Sequence, residues 1–140
     1  MATTIKPTLS KKNNNWIDKH RYYELKHFCL QYPEWKKLYS EIDGLGASRT
    51  EDVAARTNTP PDNVYRCVEL RSAYLKRIEL VEKTAIQADP SLASYILKAV
   101  TEGLSYNALK ARLEIPCGRD TYYSCYRRFF WLLDRETLYI

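Results

Sequence analysis

The chain has 140 residues with 22 Lys and Arg against 17 Asp and Glu, a net charge of +5. That length fits one domain, or a small domain with a helical arm. Hydrophobic residues make up 45% and charged residues 28%, as in a soluble globular protein, and only 4 Gly and 6 Pro argue against a strand-and-turn architecture. No apolar run reaches the ~20 residues of a membrane span and no signal peptide opens the chain, so no membrane partner is expected and the protein is placed in the cytoplasm.

Residues 1–15 are polar, with Lys11-Lys12 and an Asn13-Asn14-Asn15 run, and read as a flexible tail. From Trp16 to Asp43 apolar residues recur at helical spacing: Ile17, Tyr22, Leu25, Phe28, Cys29, Tyr32, Trp35, Leu38, Tyr39 and Ile42. Pro33 predicts two helices or a kink near Gln31-Tyr32, because proline removes a helical hydrogen bond and clashes with the preceding turn. The aromatic density here is expected to serve a core or a subunit interface. Residues 45–61 read as a loop containing one or two helical turns at most. Pro60-Pro61-Asp62 then opens a long helix to about Ala88, with Val64, Val68, Ala73 or Leu75, Ile78, Val81, Ala85 and Ala88 as its apolar stripe.

Asp89-Pro90-Ser91 predicts a capped start for a helix from Leu92 to Glu102, with Tyr95, Ile96, Ala99 and Val100 inward and Gly103 as its stop. Ser105 caps the next helix, where Leu104, Ala108, Leu109 and Leu113 face inward. Ile115 is expected to plug the core and Pro116 to forbid continuation. Gly118 and Asp120 mark the start of the last helix, with Asp120 read as its cap. Tyr122, Tyr126, Phe129, Phe130 and Leu133 form that helix's buried stripe.

The expected fold is therefore all-α: a helical bundle with an N-terminal helical region, a long central helix and a C-terminal helix-turn-helix. Its divisions are a tail at 1–15, a helical region for oligomerisation or partner binding at 16–88, and a DNA-binding region at 89–140. A helix-turn-helix puts its second helix into the DNA major groove, where the first residues of that helix meet base edges. Arg119 is the first choice for reading a base, because its planar fork matches O6 and N7 of guanine. Thr121, Tyr123 and Ser124 complete the polar start. Arg127 and Arg128, with Lys110 and Arg112 on the preceding helix, are assigned to phosphates. The positive charge suits double-stranded DNA, although residues 89–140 hold seven basic against six acidic residues.

Three segments resemble small phage and prophage transcriptional regulators of the RinA/ArpU type, whose last helices are similar to region 4 of sigma factors. They are residues 22–35 (YYELKHFCLQYPEW), residues 78–85 (IELVEKTA) and residues 100–106 (VTEGLSY) with the continuation to Leu133. The resemblance implies promoter binding and activation of late phage genes in a bacterial host. The turn at Ile115-Pro-Cys-Gly-Arg119 looks longer than the sigma pattern.

An enzyme is not expected, since the chain lacks a Gly-rich phosphate loop, a nucleophile elbow and a ligand-spaced His or carboxylate cluster. His20 and His27 read as surface residues, and Cys117 lies near a helix start, where thiolates are favoured, but without a partnered histidine. Cys29, Cys67, Cys117 and Cys125 include no C-x-x-C pair, so they read as reduced apolar packers and neither metal nor cofactor is expected. The rival function is a protein-interaction adaptor for host RNA polymerase or a phage assembly partner. A homodimer agrees with the symmetry of paired half-sites.

Overall fold

The computed structural model describes residues 16–42 and 62–138. The tail at 1–15 and the loop at 45–61 lie outside them. The described residues form six α-helices and no strand: α1 (Lys19–Leu30), α2 (Tyr32–Glu41), α3 (Asp62–Ala88), α4 (Ala93–Glu102), α5 (Tyr106–Leu113) and α6 (Arg119–Thr137). The all-α class and the long central helix stand as read from the sequence, and no described helix is long and apolar enough to cross a membrane.

Local chemistry explains the boundaries. Asp18 caps α1 by accepting the His20 amide at 3.2 Å, and His20 and His27 are exposed. Pro33 sits second in α2, inside the first turn, where a missing N–H leaves no helical bond unmade. Gly103 ends α4 in the left-handed region (φ 70°), with its own amide and that of Leu104 both bonded to the Ala99 carbonyl. The start of α4 differs from expectation. Asp89 accepts the Ser91 amide at 2.9 Å and its hydroxyl at 2.6 Å, folding a turn of its own, so the N-cap falls on Leu92 without a side-chain bond.

The chain divides into two compact units. One holds residues 16–31 and 80–138 of those described, the other Tyr32–Glu79. This differs from a division at 88/89, because α1 packs against α4 and α6. Its inner face is Tyr22, Leu25 and Cys29, all buried. The Tyr22 and Tyr126 hydroxyls share a 2.8 Å hydrogen bond, and the Tyr22 ring meets Phe130 edge-on at 5.1 Å. Arg21 adds an outer clasp, with Nε 2.6 Å from Asp134 Oδ1 and an Nη2 hydrogen bond to Thr137. The buried stripe of α6 is Tyr122, Tyr126, Phe129, Phe130 and Leu133, as expected, joined by Cys125. From α4 come Ile96, Ala99, Val100 and Thr101, whereas Tyr95 is only half-buried. Thr101 and Thr84 are tolerated inside because each hydroxyl donates to the carbonyl four residues back, at 2.6 Å.

The long helix buries Val81, Ala85 and Ala88 in its last turns, and Ile78 just before them. The expected stripe does not continue toward its start: Val68 is 61% exposed, Ala73 is exposed and Leu75 half-buried. Within Tyr32–Glu79 the aromatics carry cations instead. Arg71 lies over Tyr39 at 4.8 Å and Arg77 over Trp35 at 5.8 Å.

Candidate nucleic-acid interface

The candidate site is built from α5, the turn at 114–118 and the first three turns of α6. Ser105 caps α5 by accepting the Ala108 amide at 3.2 Å. At the other end Glu114 takes a left-handed conformation (φ 51°), and the Leu109 carbonyl accepts from the amides of Glu114 and Ile115. That reversal drives Ile115 inward, where it is completely buried. Leu109 and Tyr106 are the buried residues of α5, while Leu104, Ala108 and Leu113 are half-buried. Tyr106, not anticipated as an inner residue, packs its ring 5.4 Å from Tyr122 and donates its hydroxyl to the Cys117 carbonyl at 2.8 Å. Lys110 donates to the Ile115 carbonyl at 3.3 Å. The turn is thus tied down from both sides.

The N-cap of α6 is Gly118, which offers no side chain to the helix. Asp120 is therefore not the cap; it stands one residue inside the first turn, where a carboxylate favours the positive end of the helix dipole. With the inner side of α6 closed by aromatics, its other residues face outward. Arg119, Thr121, Ser124 and Arg128 are exposed, and Tyr123 and Arg127 are half-buried. Ser124 and Arg128, four apart, share one side of the helix; Arg119, Tyr123 and Arg127 follow at the same spacing on another. Lys110 and Arg112 are exposed on the last turn of α5. The eight residues expected from the sequence thus lie on one helix-turn-helix segment. Residues 104–133 hold five basic against two acidic residues, a local charge of +3.

Arg119 does more than project into solvent. Its Nη2 donates to Asn107 Oδ1 at 2.8 Å, its Nη1 donates to the Tyr123 hydroxyl at 3.2 Å, and its guanidinium lies 5.1 Å from the Tyr106 ring centroid. Asn107 is the functional candidate that the sequence reading missed. Twelve residues and a turn separate it from Arg119, and no local pattern signals that pairing.

Burial sets the state of three of the four cysteines. The Cys117 thiol is raised above its ordinary value, chiefly by desolvation, which outweighs the nearby Lys110 charge. The helix-start thiolate is thus disfavoured. Burial also pushes up Cys29, and takes Cys125 to about 12, so these thiols stay protonated. All four cysteines are free, Cys29 and Cys125 buried and Cys67 and Cys117 half-buried. Among the described residues no three His, Cys, Asp or Glu side chains come together as a metal site. Asp89 is lowered, mainly by the Ser91 hydroxyl bond and in part by the Arg128 charge.

No family model matches the chain, and no curated protein or solved structure proved similar to it.

Proposed function

We propose that this protein binds double-stranded DNA sequence-specifically and regulates transcription, with α6 as the recognition helix. The observation that carries this reading is the two-sidedness of α6. Tyr122, Tyr126, Phe129 and Phe130 lock one side into the bundle, while Arg119, Thr121, Ser124 and Arg128 stand in solvent from its first residue onward. A rigid helix with an exposed polar start and flanking cations is what major-groove docking requires. Arg119 then reads guanine, Thr121, Tyr123 and Ser124 meet bases or nearby phosphates, and Arg127, Arg128, Lys110 and Arg112 hold the backbone. The resemblance to RinA/ArpU-type regulators adds late phage genes as targets and a bacterial host cell as the setting.

A second reading, an adaptor for host RNA polymerase or an assembly partner, is favoured by one observation. Tyr65, Val68 and Leu70 on α3 are 67%, 61% and 49% exposed, apolar surface suited to another protein.

Selection of bound duplexes from a random pool tests the main reading. The wild type should enrich one motif. Arg119→Ala should relax one base position of it, whereas Arg127→Ala should weaken all sequences alike. Failure of the wild type to enrich any motif overturns the reading and leaves the adaptor.

A further inference from the structure

We infer that Asn107, on the helix before the turn, is the positioning residue that sets sequence specificity by holding the Arg119 fork ready for a guanine. The inference rests on the DNA-binding reading above and names what makes its base contact selective.

The geometry is a three-sided cradle. An arginine on a helix start is normally free to sweep through many rotamers, and freezing a rotamer-rich side chain on binding costs about 0.5–1.5 kcal/mol, or roughly two- to twelvefold in affinity. Here Asn107 Oδ1 takes one Nη2 hydrogen at 2.8 Å, the Tyr123 hydroxyl takes one from Nη1 at 3.2 Å, and the Tyr106 ring supports the guanidinium plane at 5.1 Å. Tyr106 is itself pinned by its bond to the Cys117 carbonyl and by burial. The support therefore belongs to the folded turn.

The count of donors matters. A guanidinium carries five N–H groups. The cradle occupies two, leaving three, and a bidentate contact to O6 and N7 of guanine needs two. All three partners are uncharged, so none of them neutralises Arg119 in competition with DNA. Asn107 is exposed and neutral, so its loss should leave the count of neutralised phosphates unchanged.

The test compares Asn107→Ala and Asn107→Asp with the wild type and Arg119→Ala. Each binds the selected duplex and a duplex whose guanine is replaced at the position Arg119→Ala relaxes, across a salt series. The expected result is that Asn107→Ala loses about three- to tenfold of the discrimination at that base pair, with the salt slope unchanged. Added to Arg119→Ala it should cost no further discrimination. Asn107→Asp keeps an acceptor but adds a charge that neutralises Arg119 in competition with DNA, so it should weaken both duplexes and lose discrimination as well. A melting curve for each variant reports the folded state independently. Full discrimination in Asn107→Ala overturns the inference, as does an equal loss on both duplexes or a gain in discrimination, which would make the cradle a competitor of DNA. Those outcomes leave the DNA-binding reading intact; a wild type without base preference removes both.

Discussion

Ring-on-ring packing dominates one compact unit, while cations on rings occur in both. In the unit of residues 16–31 and 80–138 they pack on one another: Tyr22, Tyr126 and Phe130 form a triangle of ring contacts between 5.0 and 6.4 Å, continued by Phe129 and Tyr122. In Tyr32–Glu79 they lie under cations, with Arg77 on Trp35, Arg71 on Tyr39 and Lys36 on Tyr32. Ring-on-ring packing excludes water and fixes geometry, whereas a cation on a ring face keeps a polar group at the boundary with solvent. The candidate site uses both. Its scaffold is the first kind, and Arg119 on Tyr106 is the second.

The largest effect is expected in the aromatic core. Phe129 is completely buried, so Phe129→Ala should lose about 3–5 kcal/mol in chemical denaturation. Val68→Ala, on the exposed part of α3, should change stability by less than about 0.5 kcal/mol. Equal losses would mean that the aromatic cluster is not the stabilising centre.

Alkaline pH attacks the same cluster without mutation. Burial raises Tyr22, Tyr122 and Tyr126 above 10.0, and raises Cys125 from 9.0 to about 12. Each group is then more protonated folded than unfolded once the pH passes its ordinary value, so the unfolded state gains as protons leave. These groups add no pH dependence below pH 9, and stability should fall progressively above it, through the raised folded values. Thermal melts across that range would show it, and a flat profile to pH 12 would contradict the buried placement of these acids.

Two core hydroxyls should respond in opposite ways. Tyr126→Phe leaves the Tyr22 hydroxyl buried without its 2.8 Å partner and should cost about 1–3 kcal/mol. The Tyr122 hydroxyl is buried with no hydrogen-bond partner, so Tyr122→Phe should be neutral or stabilising. Between these two lies Gly103→Ala. The new Cβ would meet Leu30 Cδ2 at an ordinary 3.7 Å, so the cost is the left-handed backbone alone, about 1 kcal/mol.

What could be read from the sequence follows from how local the cause is. Pro33, Gly103, Ser105 and Ile115 act within a few residues of themselves, and the α6 stripe repeats at helical spacing. All of them are where their chemistry predicted. The caps of α4 and α6 shifted for local reasons, to Leu92 and Gly118, whereas the other misplacements need distant partners. Tyr22 joins the last helix through Tyr126, 104 residues away, which is why α1 belongs with the helix-turn-helix. The Val68 end of α3 carries an apolar pattern that the fold does not bury. At the candidate site the exposed positions of α6 were legible from its period, whereas the Asn107–Arg119 bond, across the turn, was not.

On the proposed reading, the outer side of α5 and α6 is a DNA surface. Its most direct test is the anisotropy of a labelled duplex titrated with the intact protein from low to high salt. Binding at low salt is expected, with a log–log loss of affinity whose slope counts neutralised phosphates and is lowered by about one in Arg128→Ala. Negligible binding at low salt, or a slope untouched by Arg128→Ala and Arg112→Ala, would contradict it.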